Sequence, residues 1–185
     1  GARLQGIAVD AAGLVVEQLA GQRDCRLVYV TPSHQYPTGA VLSLPRRLAL
    51  LDWARQADGW IVEDDYDGEY RYQGAPLAPL AALDRHDRVL YVGTFSKIAF
   101  PGLRLGYLVA PPALVPALLE LQRAGIRHLD SATQTVMADF IEQGHFQRHI
   151  RRMRRAARNR RDVLLAGWPE VAGCAPPGVP VAGLH

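Results

Sequence analysis

The stretch VGTFSKIAFPGLRLGY, Val92 to Tyr107, decides the fold because of one residue inside it. Lys97 is the only lysine in 185 residues, against twenty arginines. An arginine supplies charge and bidentate hydrogen bonds, but its pKa above about 12 keeps it from acting as a free amine. A lysine amine attacks carbonyl carbon once its pKa is depressed. Drift of composition toward arginine would also leave a single lysine, so the neighbours must decide.

Immediately before Lys97, DRVLYV places a short apolar run at Val89–Val92, which reads as a buried strand. Immediately after it, LGYLVAP reads as another. Two more runs, Leu27–Val30 in CRLVYVTPSHQYPTG and Trp60–Val62 in GWIVEDDYDGEYRY, have the same character, and a shorter one spans Ile7–Val9 before the turn-like Asp10–Gly13. Between them SLPRRLALLDWARQAD predicts a helix with Ser43 as N-cap and Pro45 in its first turn. Helical patterns follow at about Pro112–Ala124, Ser131–Gln143 and Phe146–Ala166. Strands alternating with helices predict an α/β fold with a mostly parallel sheet, and such sheets bind ligands beyond the carboxyl ends of their strands. The residues His34–Gly39, Asp64–Tyr66 and Thr94–Lys97 each follow a strand directly, so they are expected to converge on one site.

The residue types there suit one cofactor. Lys97 lies close to two hydroxyls, Thr94 and Ser96, and is followed by Arg104. Hydroxyls and a guanidinium suit a phosphate dianion, and the amine suits an aldehyde. The acid pair Asp64–Asp65 suits a pyridinium nitrogen, which keeps its proton beside a carboxylate. Tyr66 can donate to a phenolate oxygen. Together these describe pyridoxal 5'-phosphate, for which only a lysine can form the Schiff base.

The composition excludes other classes. Nearly half of the residues are hydrophobic and about a fifth charged, with a formal net charge of +3, the balance of an ordinary globular chain. There is neither a membrane-length apolar run nor a leader pattern, and the chain is read as cytoplasmic with no membrane partner. Cys25 and Cys174 match no metal spacing, and His145 with His149 lacks the glutamate of a zinc motif, so no metal site is predicted and this histidine pair reads as a solvated helix face. The segment RHIRRMRRAARNRR, Arg148–Arg161, holds eight arginines. With Ile150, Met153, Ala157 and Leu164 at helical spacing, it reads as an amphipathic helix rather than a nucleic-acid patch, since no aromatics interleave and arginine stems cover apolar surface.

The stretches TPSHQYPTG, EDDYDGEYRY and GTFSKIAFPGLRLGY resemble fold-type I aminotransferases. They are most similar to the aminotransferase-like domain of MocR/GabR-type bacterial regulators, which join it to a GntR-like winged helix-turn-helix. The resemblance implies the central part of a three-layer α/β/α large domain plus the long helix leading to a small C-terminal domain. Residues 1–145 would belong to the pyridoxal-phosphate-binding large domain, and residues 146–185 to the interdomain helix and the start of the small one. It also implies Lys97 as the Schiff-base lysine, Asp64 as partner of the pyridine nitrogen and Tyr66 near the 3'-oxygen. Thr94, Arg104 and Ser96 would lie at the phosphate.

One position departs from the enzyme pattern: Tyr36-Pro-Thr-Gly39 stands where ordinary aminotransferases read Asn-Pro-Thr-Gly, and the asparagine bonds the 3'-oxygen. Tyr36 is therefore expected at the cofactor, in a context that favours the regulator branch. The Pro/Gly-rich end, Trp168–His185, looks like an unfinished strand, and the chain is expected to be truncated there. The resemblance places the glycine-rich phosphate loop, the ring-stacking aromatic and the DNA-binding domain upstream of Gly1, and a carboxylate-binding arginine downstream of His185. The expected function is an effector-sensing domain for an amino acid or amine, in a protein that is a homodimer when full length. The rival is an aminotransferase acting between an amino acid and a 2-oxo acid, and a scaffold without cofactor is the third reading.

Overall fold

Four apolar runs become the strands of one sheet. The computed structural model describes residues 1–22, 24–74, 77–125, 130–168 and 181–183. Its elements are β1 (Val9–Asp10), β2 (Gly13–Leu14), β3 (Leu27–Val30), α1 (Leu44–Gln56), β4 (Trp60–Asp65), α2 (Leu80–Leu83), β5 (Val89–Thr94), β6 (Gly106–Val109), α3 (Val115–Gly125), α4 (Ser131–Glu142) and α5 (His145–Ala166). They fall into two units: Gly1–Tyr66, Leu77–Gly93 and Gly106–Leu129 form one; Asp67–Pro76, Thr94–Leu105 and Asp130–His185 form the other.

In the first unit the sheet order is β3-β4-β5-β6. β3 runs parallel to β4 with Val28 opposite Ile61 and Val30 opposite Glu63. β4 runs parallel to β5 with Ile61 opposite Val89 and Asp65 opposite Gly93. Because side chains alternate along a strand, Val28, Val30, Ile61 and Val89 share one face. That face is buried with Leu50 and Ala54 of α1 in a core that also takes Val16, Leu19, Leu42 and Leu80. Leu27 and Tyr29, between the buried valines, point to the opposite face and are exposed. The hairpin β1–β2 turns at Asp10–Gly13, where the sequence predicts a turn. Ser43 precedes α1 as expected, with Pro45 in the first turn, but its side chain makes no capping bond.

A buried arginine secures this unit. Arg47 of α1 is fully buried. It donates to the carbonyl oxygens of Leu42 (2.9 Å), Pro32 (2.9 Å) and Ala78 (3.1 Å). The amide of Leu42 also donates to Pro32 O at 2.9 Å, so Arg47 grips the neck of the loop that carries His34–Gly39. Glu63, equally buried, accepts from the amides of Leu80 (2.8 Å) and Ala81 (2.9 Å).

In the second unit α4 is capped by Asp130, whose carboxylate accepts from the Thr133 amide at 3.1 Å. Gly144, with φ of 70°, turns the chain into α5. Along α5, Ile150 is buried and Met153 and Ala157 half-buried, as the apolar stripe predicts, but Leu164 is 56% exposed. The helix end is held by polar contacts instead: Arg154 donates to Glu69 O at 2.7 Å, Arg158 to Tyr72 O at 2.9 Å, and the Arg161 guanidinium stacks 4.8 Å from the Tyr72 ring centroid. The arginine-rich segment thus fastens a loop, in keeping with its reading as a structural helix. Ala182 bridges Arg71 in antiparallel fashion. The rest of the expected terminal strand, and Cys174, lie outside the described residues.

Candidate functional site

β4 is three residues longer than its apolar run, and the three added residues are acids. Each has found a partner far away in sequence. Glu63 takes the two amides of α2, Asp64 accepts from the Tyr29 phenol at 2.5 Å, and Asp65 accepts from the Tyr91 phenol at 2.8 Å. Strand alternation sends Asp64 and Asp65 to opposite faces of the sheet. Tyr29, on the same face as Asp64, has its phenol pushed up to about 12, first by partial burial and then by the hydrogen bond to Asp64. Tyr91 is likewise raised by burial and by the negative charge of Asp65. Its ring lies 6.1 Å from that of Tyr107, which fills the space over Gly93.

Two residues past Asp64, the Tyr66 hydroxyl donates to the His34 carbonyl at 3.0 Å and lies 3.1 Å from His34 Nδ1. His34 is buried. The first two strand-end loops are therefore in contact. The loop tip is closed by its own bonds, Gln35 N to Ala40 O at 2.9 Å and Gly39 N to Gln35 O at 2.7 Å, with the Thr38 hydroxyl on the Gln35 side chain. Tyr36 stands 64% exposed at that tip, and the Tyr36–Pro37 peptide is cis.

In the second unit the Lys97 loop closes on itself. Phe95 N donates to Leu105 O at 2.9 Å, and the Ser96 amide donates to Thr94 Oγ1 at 3.1 Å, a local turn of the kind Thr side chains favour. The Ile98 side chain is buried, and its carbonyl lies 3.0 Å from Nε2 of His149 on α5. The Lys97 carbonyl accepts from Tyr70 at 3.4 Å. Phe95 packs edge-on against Phe146 at 5.7 Å. The Lys97 side chain is exposed, as is Arg104, which has left-handed backbone with φ of 49°. His149 corrects the reading of a solvated histidine face: it is half-buried, with its ring against a loop carbonyl.

By residue type, the first unit offers a carboxylate and a phenol, and the second an exposed amine, two hydroxyls and a guanidinium, each a kind of group that suits a pyridoxal phosphate. Tyr29, Tyr70 and His149 are the partners that reasoning from sequence missed. Only Tyr29 carried a signal, as a tyrosine between two valines of a strand, on the face shared with Asp64.

Residues 6–179 match the family model for aminotransferase class I and II. The chain belongs to the aminotransferase class I and II family. Within that family it is 40% identical over 166 residues to the probable rhizopine catabolism regulatory protein MocR of Rhizobium meliloti, matching 90% of this chain and 34% of that one. It is 43% identical over 164 residues to the transcriptional regulator TauR of Rhodobacter capsulatus, matching 89% and 34%. An aromatic-amino-acid aminotransferase of Thermococcus litoralis is 34% identical over 167 residues, matching 90% and 40%. Among solved structures, the kynurenine aminotransferase of Pyrococcus horikoshii, in complex with PMP, superposes with a TM-score of 0.87 at 32% identity, covering 96% of this chain and 46% of that one. The architecture is thus that of fold-type I aminotransferases, as expected. The chain spans about a third of the length of the curated regulators it matches. Among the described residues no helix is long and apolar enough to cross a membrane.

Proposed function

We propose that these residues form the effector-sensing, pyridoxal-phosphate-binding part of a MocR/GabR-type transcriptional regulator. The observation that carries this reading is the order of similarity: the regulators stand at 40% and 43% identity and the aminotransferase at 34%, over nearly equal lengths. Tyr36 in place of the usual asparagine supports the same branch. DNA would be contacted through a further domain of a full-length homodimer in the cytoplasm. In this reading residues 1–145 belong to the cofactor-binding large domain, and 146–185 to the interdomain helix and the start of the small domain.

When bound, pyridoxal phosphate supplies an aldehyde that condenses with amines and a ring that draws electrons from the carbon attached to them. Asp64 would hold the proton of the ring nitrogen. Tyr66 would donate to the 3'-oxygen, with Tyr36 beside it. Thr94, Ser96 and Arg104 would bind the phosphate. Lys97 would hold the aldehyde carbon until an amino acid or amine takes its place, and its released amine could then accept and return a proton.

Borohydride reduction of the full-length holoprotein, followed by peptide mapping, tests the site: the pyridoxyl group is expected on Lys97, and its appearance only on a lysine outside these residues would refute the assignment. A second measurement separates regulator from enzyme. Exchange with an amino compound should be ready, while full turnover with a 2-oxo acid should be slow against the range of about 1–1,000 per second typical of enzymes. Turnover within that range, with no affinity for DNA, would favour the aminotransferase.

A further inference from the structure

The carboxylate of Asp64 does not stand alone at the end of β4. Tyr29, one strand away in β3, donates to its Oδ2 at 2.5 Å. The register makes this contact a property of the sheet: Tyr29 lies opposite Val62 in the parallel pair β3–β4, and Asp64 is the next residue of β4 on the same face. Reaching two residues along the neighbouring strand is within the span of a tyrosine. An unrestrained carboxylate turns freely about its terminal torsion and offers either oxygen. With Oδ2 taken by the phenol, the torsion is fixed and Oδ1 is the oxygen left to face a ligand.

We propose that Tyr29 is a positioning residue: its phenol fixes Asp64 so that one chosen oxygen is presented to the ring nitrogen of the cofactor. This rests on the reading of Asp64 given above. Asp65 receives its own tyrosine, Tyr91, on the opposite face, so the two phenols divide the acid pair and leave only Asp64 on the face of Tyr29. A carboxylate held in place before the ligand arrives needs no reorganisation when the ring docks, which is how supporting contacts raise affinity without touching the ligand.

Tyr29→Phe tests this in the full-length protein. Tyr29 is 60% exposed, so loss of one hydroxyl should leave the unfolding midpoint unchanged. Titration with pyridoxal 5'-phosphate should show binding weakened about tenfold, the scale of one charge-assisted hydrogen bond. With ring-15N-labelled cofactor, the nitrogen chemical shift should move toward that of neutral pyridine. Asp64→Asn serves as reference and should move the shift further in the same direction. If Asp64→Asn changes shift and affinity while Tyr29→Phe changes neither, Asp64 keeps its role and the inference for Tyr29 is overturned. If Asp64→Asn itself changes nothing, the reading of Asp64 is wrong, and the role of Tyr29 is wrong with it.

Discussion

The guanidinium of Arg47 and the carboxylate of Glu63 lie 3.8 Å apart with side chains essentially inaccessible to water. They join helix α1 to the central strand β4. Through their remaining bonds they also hold the neck of the His34–Gly39 loop and the start of α2. Removing one partner of a buried ion pair leaves the other charge uncompensated. Arg47→Met should therefore cost about 3–5 kcal/mol of unfolding free energy, read by urea denaturation. A loss below about 1 kcal/mol, the scale of an exposed pair, would mean that the three carbonyls find other partners.

Glu63 gives a dependence on pH. Burial pushes its carboxyl above the ordinary value of 4.5, and the amides of Ala81 and Leu80 only partly oppose this. A folded-state pKa above the unfolded one means that the native state holds the proton more tightly. This group's contribution is then complete below the unfolded pKa and is lost as pH rises through the folded one. The stability of the wild type relative to Glu63→Gln should accordingly decline from pH 4 upward, as measured by denaturation at several pH values. A difference that grows with pH would reverse the sign.

Gly13 closes the β1–β2 hairpin with φ of 95°, and a Cβ there would lie 2.7 Å from the backbone Cα of Leu42. Backbone strain and a clash with a rigid neighbour add together. Gly13→Ala should destabilise by about 1–3 kcal/mol, seen as a lowered denaturation midpoint, whereas Gly6→Ala, which meets nothing within 4 Å, should not.

Asp64→Asn and Asp65→Asn should behave differently because the two side chains point to opposite faces of the sheet. Titrated with pyridoxal 5'-phosphate in the full-length protein, the first should bind at least about tenfold more weakly, and the second about as well as the wild type. Equal losses would assign the ring nitrogen to both acids or to neither.

The apolar core of each strand was legible from runs such as Leu27–Val30 and Val89–Val92, since composition and turn residues mark them locally. The acidic extension of β4 was not, because acids are poor strand formers and what keeps them there are tyrosines 35 and 26 residues away. α2 escaped for a related reason: four residues after a proline carry no periodicity, and the helix start is anchored on Glu63, 17 residues upstream. At the strand ends, residue types alone suggested a chemistry for Lys97 and its neighbours. The bonds of its loop to Tyr70 and His149 were not, since they run to backbone carbonyls and leave no trace in the choice of side chain.

Those last bonds have a consequence for how the Lys97 side chain can move. The carbonyls of Lys97 and Ile98 are tied down while the lysine side chain is exposed, so the amine can swing by rotation about its own methylene bonds. The peptide frame beneath need not move. On the proposed reading, exchange at this lysine would cost little reorganisation and would leave the loop itself as it stands. On the same reading, an amino compound would act onward through the groups it touches rather than through the place the lysine leaves.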